Sequence, residues 1–593
     1  MIPSPIIQSR TIDIEKERKA REAGLDPVIA RILAARPVQG NLAWPAFLNP
    51  KLNNLDPPHH LADLSKAVAR VMTAIKEKQV IGLETDHDCD GQTSHAVLYS
   101  SLVDYFQVPG NLVKTYIGHR LEEGYGLSES LCDRILADSE RPQLIITADN
   151  GSTDETQIAR LKAQGIDVIV TDHHEIPKEG IPQSALAVLN PTREDCNYPD
   201  RMIAGCMVAW LFMAAVRTQL IDQGCLPKTT PSLAGLLDFV AVGTIADCVS
   251  MARSLNNRAV VQYGLKCIQT SQRPCWQAVR TLITNDIRAE DIGFRIGPLL
   301  NADGRLDDAL GSVSFLLAQN LETAMRWIGH LIEQNDTRKS IQDTMMRAAI
   351  PLAREQCAAK QLSICLYLEA GHPGVHGIAA SRIKDLFGRP TIIFSPKYQS
   401  AEIITGSARG IDGIFHLRDA LQHVADEYPN LIIKFGGHKG AAGLTIRHQD
   451  LALFQRAFEH AVSCQLDDKA IGPVVLTDGV LPPSCFNVES ILKLNILEPF
   501  GREFEAPVFE TIAEVLGVTI LGQEQVHAKV RLKVQYTLMD AIWFRCRTDA
   551  TEPIPVDVGE TIKIAFIPKI NEYRGVVTFS PQIVAMEKCH GSL

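Results

Sequence analysis

Asp86, Asp88 and Asp90 alternate within Asp86-His87-Asp88-Cys89-Asp90-Gly91, directly after the apolar run Gln79-Val80-Ile81-Gly82-Leu83. Carboxylates packed this closely repel one another unless a cation neutralises them. Hard divalent cations such as Mg²⁺ and Mn²⁺ prefer oxygen ligands of this kind. The pattern recurs three times. Leu144-Ile145-Ile146-Thr147-Ala148 leads into Asp149-Asn150-Gly151-Ser152, residues 166–171 lead into Asp172-His173-His174, and the apolar stretch 236–245 leads into Asp247. One acidic turn after a strand is commonplace. Four such turns, carrying carboxylates and imidazoles, suit Mn²⁺ or a pair of Mn²⁺/Mg²⁺ ions.

Bringing those turns together requires a sheet. The apolar runs read as buried strands, and helical-looking segments lie between most of them. Strand–helix alternation dictates a parallel sheet with its strand ends on one edge, where open α/β sheets place their ligands. Residues 203–216 form the longest apolar run. It is shorter than the ~20 residues a membrane span needs and reads as a buried helix.

The chain has 593 residues and a net charge of −10. Several domains are expected at this length. The acidic balance does not advertise nucleic-acid binding, although bound cations would offset the ligating acids and a channel needs only a local basic stripe. The N-terminus lacks the basic and apolar regions of a signal peptide. The cysteines are scattered without metal-like spacing, and Cys89, Cys206 and Cys248 fall in core-like segments, so reduced thiols in a cytoplasmic protein are expected.

Residues 1–78 read as a helical entry region and 79–250 as the acid-bearing domain. Residues 251–360 read as helical, with one long charged helix over 324–356 as a rigid spacer. A further α/β domain is expected over 361–462. The alternating run 526–534, with 541–544, 561–567 and 575–579, suggests a five-stranded OB-type β-barrel within 463–593. Lys529, Arg531 and Lys533 share one strand face, and Trp543, Phe544, Tyr573 and Arg574 offer stacking surfaces; core packing is the alternative for Trp543 and Phe544. Gly436-Gly437-His438 allows close backbone approach, either as an anion-binding nest of N–H groups or as a tight turn.

These motifs also resemble a family. Asp172-His173-His174 is the name-giving triplet of the DHH phosphoesterases, and Asp86 to Gly91 is similar to their first motif. Tyr116-Ile117-Gly118-His119-Arg120-Leu121-Glu122-Glu123-Gly124-Tyr125-Gly126-Leu127, Gly297-Pro298-Leu299-Leu300-Asn301-Ala302-Asp303-Gly304-Arg305 and His372-Pro373-Gly374-Val375-His376-Gly377-Ile378 resemble segments of the RecJ branch, the single-strand-specific 5′→3′ DNA exonucleases. Gly436-Gly437-His438-Lys439-Gly440-Ala441-Ala442-Gly443 resembles the signature of the associated DHHA1 domain. The likeness runs from about residue 40 to the C-terminus.

The resemblance implies an α/β protein: a parallel-sheet DHH domain, a long helix, a smaller α/β DHHA1 domain and an OB-fold barrel. It maps metal ligands onto Asp88, Asp90, Asp149, His173 and Asp247, with Asp149 bridging two Mn²⁺ or Mg²⁺ ions. Asp86 is either a ligand or an orienting acid. Asp149, His173 and His174 form the catalytic group; His174 either ligates, holds Asp172 or contacts the scissile phosphate. Arg120, Arg305, Arg382, Ser407 and Arg409 match positions that hold the DNA backbone or its 5′-phosphate, a task suited to the planar arginine fork. Two positions depart from the pattern. Glu84 stands where many DHH enzymes have histidine, and Phe504-Glu505 where the family tends to have Asn-Pro. The implied partners are single-stranded DNA, a single-strand-binding protein and a helicase, with no membrane and a monomeric state. A DHH oligoribonuclease or cyclic-dinucleotide phosphodiesterase is the alternative enzyme, and a non-catalytic single-strand binder the alternative of another class. The C-terminal barrel argues against the first, the intact acid and histidine set against the second.

Overall fold

The structure, a computed structural model, describes every residue except 1–2, 39–42, 121, 307–308, 398–399, 412, 467–470, 548–549, 574 and 590–593. The chain forms two compact units, one of residues 37–339 with 498–505 and one of residues 1–36, 340–497 and 506–593.

In the first unit, strands run in the order Val113–Ile117, Ile81–Thr85, Leu144–Ala148, Asp167–Thr171, Ala187–Leu189, all parallel. Ile81–Thr85 and Leu144–Ala148 are buried at every position, which explains their continuous rather than alternating apolar character. The chain leaves Ile81–Thr85 for one neighbour and then returns to the other side. The order therefore reverses at the end of that strand, where sheets of this topology bind ligands.

The apolar stretch 236–245 does not continue the series of strands. It forms the helix Leu237–Ala246, buried over nearly its whole length. A helix surrounded by core shows no polar face, so its apolar run is indistinguishable from that of a buried strand. The sheet's last strand is Ala187–Leu189 instead. The apolar run 203–216 does form a helix from its third residue on, Gly205–Asp222. Cys89 and Cys206 are buried as expected, but Cys248 is exposed just past a helix end.

Arg258 draws the return segment 498–505 into this unit. Its guanidinium donates to the carbonyls of Phe47 (3.0 Å) and Pro499 (3.1 Å). It also lies over the rings of Phe47 (4.0 Å) and Phe504 (4.8 Å). Phe504, the departure from the family pattern, is fully buried in this stack.

The long helix is Leu321–Ala358, with Pro351 inside it, and the boundary between the units falls within it. In the second unit the strands order as Ile432–Gly437, Ala441–Arg447, Ser400–Arg409, Thr391–Lys397, Ile364–Tyr367, antiparallel except for the last pair. Helices Leu417–Glu427 and Leu451–Leu466 supply much of this domain's core. A closed barrel follows, formed by Phe509–Leu521, His527–Val534, Thr537–Trp543, Gln582–Lys588 and Thr561–Ile567.

Two expectations fail here. Residues 575–579 are not a barrel strand, because Val576–Phe579 pairs with Ile570–Tyr573 in a separate hairpin. The N-terminal region is not purely helical, because Ile6–Ser9 forms a parallel pair with Val474–Thr477. Arg36 seals that junction through a bidentate pair with Asp478 at 2.6 and 3.1 Å.

Candidate metal centre

The ends of three adjacent strands and of one helix supply the acids. After Thr85 the chain turns so that Asp88 caps the helix Cys89–Ser100, accepting from the backbone N–H groups of Asp90 (2.9 Å) and Gly91 (3.1 Å). Asp90 accepts from the N–H groups of Gly205 (2.7 Å) and Cys206 (3.0 Å), at the start of helix Gly205–Asp222. The positive end of that helix favours a carboxylate and fixes its orientation. A Cβ on Gly205 would sit 2.8 Å from Asp149 Oδ1, so only glycine lets the helix come this close. The Asn301 motif supports the same loop. Asn301 Oδ1 accepts from Cys89 N–H (2.9 Å), and a Cβ on Gly304 would lie 2.3 Å from the His87 carbonyl oxygen.

His173 stands at the centre. Its Nε2 lies 3.1 Å from Asp149 Oδ1, 3.5 Å from Asp247 Oδ2 and 3.9 Å from Asp90 Oδ2. Among the described residues, three groups of possible ligands at this centre have atoms mutually within 4.8 Å: Asp86, Asp88 and Asp149; Asp90, His173 and Asp247; and Asp149, His173 and His174. Asp149 thus faces both the carboxylate group and the His173 group. It reaches this place with φ of 66°, a left-handed backbone at the strand end.

The residues fit divalent cations. Asp149 Oδ1 and His173 Nε2 are buried and face each other at 3.1 Å without a well-formed hydrogen bond, and such groups call for an ion or another polar partner. Burial and the neighbouring carboxylates push Asp88 up, and Asp149 and Asp247 well up. The set is therefore unfavourable as bare anions. Burial also pulls His173 down, keeping the imidazole neutral as a ligand must be. Asp86 differs: burial would raise it, but His87 beside it holds it below the usual range.

Asp172 organises the loop. It accepts from the N–H groups of His173 (2.7 Å), His174 (3.1 Å) and Ser152 (3.1 Å), and meets His174 Nδ1 at 2.8 Å. Burial alone would lower His174, but the Asp172 carboxylate more than offsets it and pushes the imidazole up to about 9. Glu84 belongs to none of the ligand groups. It is buried, accepts from Asn150 Nδ2 (3.0 Å) and is held well above the usual range by burial and by Asp154 and Asp86.

Sequence reasoning missed three contributors. Tyr125 sets its hydroxyl 3.4 Å from the Asp149 carbonyl and 3.5 Å from His174 Nε2. Asn190, just after the short last strand, donates to Ser152 Oγ (3.0 Å) and to the His174 carbonyl (2.9 Å). The Gly205 and Cys206 amides were also unforeseen, because a backbone N–H carries no residue signature. Tyr125 lies in a segment singled out by the resemblance, which was its available signal.

The expected phosphate binders divide between the units. Arg120 and Arg305 are half-buried in the first, and the charge of Arg120 bears on Asp86. In the second, Ser407 and Arg409 share the strand Ser400–Arg409. Both face Gly377, where a Cβ would lie 2.8 Å from Arg409 Nη2 and 3.4 Å from Ser407 Oγ. Arg382 lies on the same helix as Gly377, 3.9 Å from Asp343.

Gly436, Gly437 and His438 lie at the turn that ends the edge strand Ile432–Gly437. Gly436 pairs with Gly443 and Gly437 with Ala442 in the ladder, and the His438 N–H donates to the Ala441 carbonyl at 2.7 Å. On the barrel, Lys529, Arg531 and Lys533 do share an exposed face. Asp540 answers Lys529 (2.8 Å) and Arg531 (3.2 Å), and Glu514 lies 3.5 Å from Lys533. Phe544 is exposed and Trp543 half-buried. Arg574 and the side chain of Tyr573 lie outside the described residues.

Comparison with known proteins agrees with this architecture. The DHH family N-terminal domain matches residues 80–244, the DHHA1 domain residues 362–463 and the RecJ OB domain residues 477–585. The single-stranded-DNA-specific exonuclease RecJ of Haemophilus influenzae is 36% identical, the alignment covering 93% of this chain and 94% of that protein. Its Escherichia coli counterpart is 34% identical over 96% of this chain and 97% of its own. The crystal structure of Thermus thermophilus RecJ with Mn²⁺ superposes with a TM-score of 0.78 at 24% identity, covering 99% of this chain and 80% of that one, a likeness of fold. A manganese-bound RecJ exonuclease structure gives a TM-score of 0.56 at 29% identity over 69% of this chain and 97% of that one. Joined to three domains in matching order, identity of this extent over almost the whole length settles the kinship: the chain belongs to the RecJ family of single-stranded-DNA-specific exonucleases.

Proposed function

We infer that the chain is a Mn²⁺- or Mg²⁺-dependent exonuclease that hydrolyses single-stranded DNA from the 5′ end to 5′-mononucleotides. The observation that carries this reading is Asp149, a buried carboxylate shared by two sets of converging ligand atoms on one sheet edge. Asp86, Asp88 and Asp149 would hold one ion, and Asp90, Asp149, His173 and Asp247 the other. Paired ions at such a centre supply a water made nucleophilic at neutral pH and charge stabilisation for an in-line displacement at phosphorus.

The chain's own residues do the rest. Asp172 keeps a proton on His174, whose Nε2 side is suited to a non-bridging oxygen of the scissile phosphate. The two N–H groups from helix Gly205–Asp222 keep Asp90 oriented. Arg120, Arg305, Arg382, Ser407 and Arg409 are assigned to the DNA backbone and its terminal phosphate. The barrel serves as the single-strand holder.

A monomer acting in the cytoplasm, in DNA repair and recombination, beside a single-strand-binding protein and a helicase, is the setting this reading proposes. Among the described residues no helix is long and apolar enough to cross a membrane.

The test is a single strand labelled at either end, and its duplex, with Mn²⁺, Mg²⁺ or chelator. Early release of the 5′ label from the single strand alone, and only with metal, is expected. Metal-independent cleavage or attack on blunt duplex would refute the reading.

A further inference from the structure

The exonuclease centre leaves a second cluster of ligating side chains unexplained, and it lies in the other unit. Helices Leu417–Glu427 and Leu451–Leu466 bury Leu417, Ala420, Leu421 and Val424 of the first, and Phe454, Phe458 and Ala461 of the second, in one core. His423 and Glu427 are spaced one turn apart on the first helix, and His460 and Cys464 one turn apart on the second. Residues at this spacing share a helix face.

The atoms converge. Ligand atoms of His423, His460 and Cys464 lie within 4.8 Å of one another. Cys464 Sγ is 3.7 Å from His460 Nε2. Glu427 Oε2 is 3.5 Å from His460 Nδ1 and 3.6 Å from His423 Nε2. In a tetrahedral zinc site with ligands at ~2.0–2.3 Å, neighbouring ligand atoms are ~3.3–3.8 Å apart. The Cys464–His460 pair already has that spacing, the third ligand, His423, lies within 4.8 Å of both, and the side chains are exposed enough to close the remaining distance. Surface Glu–His pairing accounts for Glu427 and the two imidazoles it faces. It does not account for a thiol that closes the group, within 4.8 Å of both imidazoles and 3.7 Å from His460 Nε2.

We propose that His423, His460 and Cys464 bind a borderline transition metal of the Zn²⁺ class, with Glu427 accepting the Nδ1–H of His460. Two imidazoles and a thiolate discriminate against Mn²⁺ and Mg²⁺, which prefer oxygen. A carboxylate behind a ligating histidine is the usual orienting partner. Binding deprotonates Cys464 and releases that proton to solvent. The metal clamps the two helices that build the core of this domain.

Co²⁺ is the probe, because a thiolate ligand gives it a sulfur-to-metal charge-transfer band in the near ultraviolet. Among the described residues no cysteine belongs to the ligand groups of the exonuclease centre, and loss of the band in Cys464→Ala assigns it to this cluster rather than to another exposed thiol such as Cys248. In the reduced full-length protein the band should rise to saturation. It should vanish in Cys464→Ala and in His460→Ala, both checked for folding by circular dichroism, and persist in Asp149→Ala. Zn²⁺ should abolish it and excess Mn²⁺ should not. Glu427→Gln should weaken Co²⁺ binding about 10–100-fold. Cys464→Ala should degrade DNA in Mn²⁺ at the wild-type rate. No band in the wild type, a band surviving in Cys464→Ala, or displacement by Mn²⁺ would overturn the proposal.

Discussion

At the scale of single residues, Asp149 joins the carboxylates to the His173 group, so its loss should disable both sets of ligands. Asp149→Ala should cut the Mn²⁺-dependent rate by more than about a hundredfold, since even outer partners of metal ligands are worth ~10–100-fold. Single-strand binding should survive. Near wild-type turnover in the purified variant would refute a shared ligand. The neighbouring histidine offers a pH test. His174 is raised to about 9 by Asp172, so its protonated form is present below that value and is lost as pH rises through it. If that proton serves the phosphate, activity falls on the alkaline side near 9. Asp172→Asn removes the stabilising charge and should draw this limb down towards the ordinary histidine value of ~6.5. An alkaline limb unmoved by the substitution would exclude His174 as its source.

At the scale of elements, what packs around Arg258 decides whether the return segment 498–505 stays attached. Arg258→Met keeps the bulk but leaves the carbonyls of Phe47 and Pro499 unanswered, at about 1–3 kcal/mol for each buried acceptor. The variant should melt earlier and be cut within 498–505 by a protease that spares the wild type; unchanged melting and protection would show that Arg258 is not the tether. Lysine should not rescue it, lacking the planar fork that reaches several carbonyls at once. The same scale explains what could be read in advance. The strands ending at Thr85, Ala148 and Thr171 were legible because apolar runs stop at charged turns. So were the helices Gly205–Asp222 and Leu321–Ala358, by length. Helix Leu237–Ala246 was not, because burial on all sides erases its periodicity, yet Asp247 at its end was still singled out. The barrel was legible through the alternation at 527–534. Its hairpin at 570–579 mimicked a barrel strand because an exposed ribbon and a barrel edge share β-propensity. The amides that grip Asp90 could not be read at all, since contacts between Asp90 and Gly205 depend on the fold.

At the scale of the molecule, the metal centre cannot set a direction, because in-line hydrolysis has none of its own. Direction comes from whatever recognises the strand end. A terminal phosphate monoester carries more charge than an internal diester and rewards clustered guanidiniums. Arg409 and Ser407, gathered against Gly377, and Arg382 on the same helix as that glycine, are the groups we assign to it. Lys529 and Arg531 are weaker candidates for this role, because Asp540 already answers both. A 5′-phosphorylated strand should therefore be degraded faster than a 5′-hydroxyl strand. Arg409→Ala should narrow that difference more than it slows the 5′-hydroxyl substrate. The lost charged contact is worth about 1.5–3 kcal/mol, roughly a tenfold to hundredfold drop on the phosphorylated strand. The measurement is a comparison of initial rates on both substrates for wild type and variant. Equal wild-type rates, or a variant that slows both substrates alike, would move the phosphate pocket away from Arg409.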